Sequence, residues 1–254
     1  MSGSRRVMTG GANLYGYRVG ILMIEGRFPR PPGAIGNARS FDFPVLHRVV
    51  PDASGEVTVR MASQLSAGSQ RLAELAVPWI EGAKELERQG CLAITTSCGF
   101  AILYQRELAE AVSVPVWSSS LLLASFILSG LPASRRLGII TAESSALGLP
   151  HFTLAGIDPA RCAVIGMEGC PEFAATAWQD RTTLDLDRQE EEAVSVARRL
   201  AAQTPDLGAI LLECSLLPPY AAMIQQAVPV PVFDFTHLVH LAHNTARRQP
   251  FTPE

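Results

Sequence analysis

Charge is scarce in this 254-residue chain. Asp, Glu, Lys and Arg make up 18% of it, and their near balance, a net charge of −3, leaves no basic stripe for a nucleic-acid backbone. A small-molecule partner is therefore expected, and nucleic acid is not. Long apolar runs are also missing: the most apolar stretch, residues 121–131, is interrupted by Ser125, Ser129 and Gly130 and is too short to span a bilayer. The segment after Arg5-Arg6 contains Thr9, Gly10, Gly11 and Asn13, so it lacks a secretory apolar core. No membrane partner and, by default, a cytoplasmic location are the expectations. Cysteine is present at five positions (91, 98, 162, 170 and 214), an odd number with no Cys-x-x-Cys pair, which argues against a disulfide scaffold or a structural zinc site. Neither G-x-G-x-x-G nor G-K-[ST] occurs, so nucleotide binding has no motif behind it.

What remains is apolar: 48% of the residues are hydrophobic. Residues 17–24, 92–96, 114–117, 136–141, 162–166, 208–213 and 230–235 are short, nearly continuous apolar runs bounded by Gly, Pro or Ser. Parallel strands covered on both faces have this pattern. Between them, residues 70–89, 101–112, 121–131, 189–203, 218–227 and 236–248 carry helical patterns. The alternation predicts right-handed βαβ units and parallel sheets. Residues 26–37, rich in Pro and Gly, and the polar residues 179–188 are expected to be loops. The first is open between a lid carrying Arg27 or Arg30 and an ordinary connection.

The chain also resembles itself. Displaced by 116 residues, Ala93-Ile94 falls on Ala209-Ile210, Cys98 on Cys214, Tyr104 on Tyr220 and Val114-Pro115-Val116 on Val230-Pro231-Val232, without a gap. A displacement of 118 lays Val19-Gly20-Ile21-Leu22 over Leu137-Gly138-Ile139-Ile140. Shared aliphatics are ordinary between two buried βαβ units; a matched cysteine and tyrosine at fixed distance from a matched Val-Pro-Val point to an internal duplication.

Each of the two matched cysteines ends a strand and precedes a helix. Ligands of open parallel sheets bind there, free N–H groups at a helix start attract anions, and the same helix end is expected to favour the thiolate. A thiol and a thiolate on opposite faces of one carbon can remove and return its proton. Cys91, Cys162 and Cys170 lack these features and read as core. Ser118-Ser119-Ser120 is open between a strand-end cap and a ligand contact, Thr141 between a cap and a carboxylate ligand, and Glu213 between orienting a thiol or ammonium and a solvated strand end. His237, His240 and His243 drift around one helix and read as packing or surface residues.

The runs Thr95-Thr96-Ser97-Cys98-Gly99-Phe100 and Leu212-Glu213-Cys214-Ser215, with Pro218-Pro219-Tyr220, resemble the aspartate/glutamate racemase superfamily. The resemblance implies an α/β fold of two pseudo-symmetric flavodoxin-like domains, each a parallel sheet flanked by helices, with the active site in the cleft between them. Residues 1–117 plus 234–254 would form the first domain and 118–233 the second. It implies catalysis without metal or other cofactor by Cys98 and Cys214, and a homodimer. Gly99, Thr141 and Ser215 would lie where such enzymes bind the substrate carboxylate; Ser97, Ser119 and Glu213 complete the candidate set. The expected reaction is racemisation or epimerisation of a small carboxylate such as an amino acid or hydantoin. A lyase or isomerase on the same scaffold, including dimethylsulfoniopropionate cleavage, decarboxylation and maleate-type isomerisation, is the alternative, and a non-catalytic small-acid binder a third. The best-known amino-acid racemases carry Cys-Asn-Thr and Gly-Cys-Thr, where this chain has Cys-Gly-Phe and Glu-Cys-Ser. Amino-acid recognition is therefore altered.

Overall fold

The computed structural model describes residues 7–8, 10–11, 14–246 and 248; of the segment after Arg5-Arg6, Thr9, Ala12 and Asn13 lie outside them. Two four-stranded, wholly parallel sheets organise the described residues. The first runs β2 (Val45–Val49), β1 (Val19–Met23), β3 (Ala93–Thr96), β4 (Val116–Trp117). The second runs β6 (Cys162–Gly166), β5 (Arg136–Thr141), β7 (Leu207–Leu212), β8 (Val232–Phe233). Helices join the strands: α1 (Gln70–Arg88), α2 (Gln105–Ala111), α3 (Ala124–Ser129), α4 (Leu149–Ala155), α5 (Pro171–Ala177), α6 (Leu186–Gln203), α7 (Ala221–Ala227) and α8 (Phe235–Ala246). None is long and apolar enough to cross a membrane.

The internal repeat is visible in the register. Ile94 pairs with Val116 and Thr95 with Trp117; 116 residues later Ile210 pairs with Val232 and Leu211 with Phe233. Val19 sits beside Ala93 as Leu137 sits beside Ala209. The loops that end the central strands are tied in the same way, Ser97 N–H to the Leu22 carbonyl (2.8 Å) and Glu213 N–H to the Ile140 carbonyl (2.9 Å). Repeated hydrogen bonds at matched positions are more than shared composition, and they put Cys98 and Cys214 at equivalent places.

Local chemistry explains the elements. Ser69 caps α1 by accepting the Leu72 N–H, and Leu72, Ala76, Trp79, Ala83 and Leu86 recur at helical spacing to bury one face. All residues of β1 and β3 are buried, so neither alternates between polar and apolar; the two threonines that end β3 donate their hydroxyls to the Trp117 and Ser118 carbonyls. Helix α8 packs on the first sheet: Phe235, Leu238, Val239 and Ala242 form one apolar cluster with Val19, Ile21 and Ala93. Another core cluster crosses between the sheets, joining Leu22 and Ile94 to Ile139, Phe152 and Leu211.

Several features depart from the sequence expectations, among them an unexpected helical segment at Glu56–Met61 and a 3₁₀ start, Ser120–Leu123, to the helix expected at 121–131. Strand β2 was not predicted, because His47 and Arg48 break its apolar character at the sheet edge. Helices α4 and α5, seven residues each with Pro in the first turn, are too short for a periodic signal. The helices expected at 101–112 and 218–227 start as tight 3₁₀ turns, Gly99–Tyr104 and Pro218–Tyr220, before becoming α2 and α7.

Candidate active site

Both matched cysteines line one pocket between the sheets. Cys98 follows β3 and caps the 3₁₀ turn Gly99–Tyr104 in extended conformation, with the Phe100 and Ala101 N–H groups directed at its sulfur. Cys214 follows β7, faces the Leu216 N–H and is the more accessible of the two. Ser97, Gly99, Glu213 and Ser215 line the same pocket. Ser97 Oγ accepts the Ile24 N–H (2.9 Å), while Ser215 Oγ donates to the Ser97 carbonyl (2.5 Å), so the two strand ends are hydrogen-bonded to each other.

Glu213 is completely buried, and Thr141 reaches the site only through it: Thr141 Oγ1 donates to Glu213 Oε2 (2.7 Å). Gly99 packs against that carboxylate. A Cβ at position 99 would run into Glu213 Oε1 and the Glu213 backbone carbonyl, so glycine here makes room for the glutamate. Ser119 is not brought to the pocket. Its hydroxyl accepts the Leu121 N–H (3.0 Å) and caps the following turn. Ser118 is held by Gln105, and Ser120 by the carbonyls of Leu212 and Glu213.

The expectation that helix N-termini would favour thiolates is corrected. Burial pushes the Cys98 thiol up to about 12, the Glu213 carboxylate adds to this, and the Phe100 and Ala101 N–H groups oppose it only in part. Burial and Glu213 raise Cys214 well above the ordinary thiol value in the same way. Burial also raises Glu213 to about 7, against the Thr141 hydroxyl and the Ala142 N–H. Desolvation outweighs one or two amide dipoles in a site this dry.

Of the pocket walls, Phe28, Val59 and Trp178 escaped the sequence reading. With Phe100, the residue after Gly99 in the first cysteine run, they make the pocket apolar, and in this geometry it holds about 30 Å³, room for about two waters. A large aromatic in the loop after β1 was the available signal for Phe28; Trp178, at the end of α5, offered none. Asp180 links the two loops: its carboxylate accepts the Arg27 N–H (2.5 Å), the Phe28 N–H (3.0 Å) and Arg27 Nε (3.2 Å). Arg30 stacks on Phe28 at 4.2 Å and Arg60 on Trp178 at 4.0 Å. Far from the pocket, His243 stacks on Phe43, His240 meets the same ring edge-on, and His237 pairs with Asp234.

Comparison with known proteins follows the same lines. A dimethylsulfoniopropionate lyase of Durusdinium sp. clade D is 29% identical over 221 residues, 85% of this chain and 70% of that protein. Dimethylsulfoniopropionate lyase 5 of Emiliania huxleyi (strain CCMP1516) is 29% identical over 243 residues, 91% of this chain but 46% of its own length, so this chain spans about half of it. Allantoin racemase from Pseudomonas fluorescens shares the fold with a TM-score of 0.57 at 18% identity, over 92% of this chain and 99% of that one. Unliganded arylmalonate decarboxylase does so with a TM-score of 0.56 at 17% identity, over 93% and 95%. The family model described as Asp/Glu/hydantoin racemase matches residues 47–240. With its paired parallel sheets and that match over most of its length, the chain belongs to the Asp/Glu/hydantoin racemase family.

Proposed function

We propose that this protein is a cofactor-independent lyase that takes the α-proton from a small carboxylate and expels a β-substituent, with dimethylsulfoniopropionate as the candidate substrate. The observation that carries the reading is the placement of two strand-end cysteines in one dry pocket. Proton abstraction is common to racemisation and elimination, and two further points favour elimination. The relatives at 29% identity over 85–91% of the chain are named lyases, whereas the racemase and decarboxylase likenesses lie under 20% and carry only the fold. Ile24, Phe28, Phe100 and Trp178 also suit a methylated substituent better than a hydantoin ring that needs several hydrogen-bond partners.

In the reaction, the thiolate of Cys98 or Cys214 accepts the α-hydrogen as a proton. The C–H electron pair becomes the C=C bond, the C–S bond breaks with its pair going to sulfur, and dimethyl sulfide and acrylate leave. The thiol then returns its proton to solvent. Racemisation is the second reading, favoured by the presence of a thiol from each repeat in the same pocket, as two-base inversion requires.

Incubation in deuterated water separates the two. Acrylate release from dimethylsulfoniopropionate supports the lyase; α-deuterium incorporation with inversion and no alkene, on a panel of chiral α-substituted small carboxylates, supports the racemase. At least one of Cys98→Ser and Cys214→Ser is expected to lower kcat for elimination by about 100-fold or more, whereas two-base inversion would be lost in both. Full activity in both variants would remove the thiols from the mechanism.

A further inference from the structure

Glu213 is used at only one of its two oxygens. Oε2 is fixed by Thr141 Oγ1, but Oε1 has no hydrogen-bond partner among the described residues although it is fully enclosed. It lies against Gly99, and its side chain lines the pocket with both thiols. An enclosed carboxylate oxygen with no partner costs free energy that the fold alone gives no reason to bear. Among the described residues lining the pocket there is no Lys, Arg or His to balance it.

We propose that Glu213 is the specificity-determining residue of the site, its free Oε1 serving as counter-charge for a cationic group, a sulfonium or quaternary ammonium, that the substrate carries near its reacting carbon. The proposal rests on the reading of the pocket as one for α-proton removal. The chemistry is consistent across the site. A positive charge entering a low-dielectric pocket gains most from a fixed carboxylate within it, and Phe28, Phe100 and Trp178 line the pocket that would receive its methyl groups. The cation also resolves a conflict between the catalytic groups. A thiolate beside an ionised Glu213 would place two negative charges in one dry pocket, whereas a bound cation offsets the carboxylate and lets a thiol ionise. A substrate without the cation leaves that repulsion in place. Recognition and activation are thus joined in one residue. Gly99 and Glu213 form a matched pair, with the polar group supplied from the strand before the second cysteine and the space from the residue after the first.

Two unreactive ligands of the same shape test this by calorimetry: 3-(trimethylammonio)propionate and its carbon isostere 4,4-dimethylpentanoate, which keeps the carboxylate and lacks the cationic centre. The wild-type protein is expected to prefer the ammonium by about 10-fold or more. Glu213→Gln, which keeps shape, is expected to abolish the preference while leaving affinity for the carbon isostere within about twofold. Thr141→Val, which frees the carboxylate without removing it, is expected to weaken the preference by about threefold and decides the matter if Glu213→Gln does not fold. A wild-type protein with no preference, or a preference unchanged in the variants, would overturn the proposal. Because neither ligand reacts, the result is separate from the reaction assignment: a Glu213-dependent preference without acrylate release would retain the cation site and reject the lyase.

Discussion

Hydroxyl groups near the two cysteines differ in role according to where their hydrogen bonds go. Ser215 donates across the cleft to the Ser97 carbonyl and so couples the two strand ends, whereas Ser119 spends its oxygen on the N–H of a residue two positions on. Ser119→Ala is therefore expected to cost about 1 kcal/mol of stability as a lost cap and to leave kcat/KM within about twofold. A urea melt and a steady-state assay on the same preparation measure both. A large loss of activity at unchanged stability would place Ser119 in the site after all. Its buried neighbour Ser120 holds the Leu212 and Glu213 carbonyls, so Ser120 rather than Ser119 connects this run to the pocket.

Among the elements, the 26–37 loop and the segment after α5 cover the thiols, and Asp180 joins them through three hydrogen bonds. Asp180 has a positive φ of 51°, a conformation that Asp tolerates better than most residues. The pocket holds about 30 Å³ in this geometry, with Phe28 and Trp178 in its wall, so parting of these two side chains is the expected route for a substrate to enter. Asp180→Ala removes all three bonds and is expected to raise KM by about 3- to 10-fold with a smaller change in kcat. An unchanged KM would show that the loops open elsewhere. The sequence displays β1, β3, β5 and β7 clearly because strands buried on both faces are built mainly from apolar residues, with the buried hydroxyls of Thr95 and Thr96 satisfied by neighbouring carbonyls. It hides β2, whose His47 and Arg48 are tolerated only at an edge, and the pocket walls, since Phe28 and Trp178 meet through the tertiary approach of two loops. The cysteines were legible because the duplication doubled their signal. Glu213 was ambiguous for the opposite reason: whether a strand-end carboxylate is solvated or buried depends on Gly99, which arrives from the other repeat.

At the scale of the molecule, the two sheets share a core, and one titratable group sits within their contact. Helix α4 of the second repeat packs on the Gly99–Tyr104 turn of the first, where the buried ring of His151 meets Phe100 edge-on at 5.1 Å. Its Nε2 lies 3.4 Å from Ser63 Oγ and its Nδ1 3.2 Å from the Gly148 N. Burial lowers the His151 pKa to about 4, with the Gly148 backbone opposing that shift only weakly. The folded value lies below the ordinary 6.5, so the folded protein keeps His151 neutral while the unfolded chain takes up a proton first. Stability from this group is complete above pH 6.5 and falls as pH drops towards 4, by about 3 kcal/mol over that window. Glu213, whose folded value is raised to about 7, works in the other direction as pH falls, so the two effects partly cancel in the wild-type protein. His151→Gln should separate them: less stable than wild type near pH 7 from lost packing, but with a flatter or even reversed decline between pH 6.5 and 4. Urea midpoints at half-unit pH steps read this directly, and a slope identical to wild type would show that His151 does not titrate across that window. Because Phe100 touches both His151 and the Cys98 pocket, the same acid step should also expose the thiols, so the rate of Cys98 alkylation after brief acid exposure should track the unfolding curve.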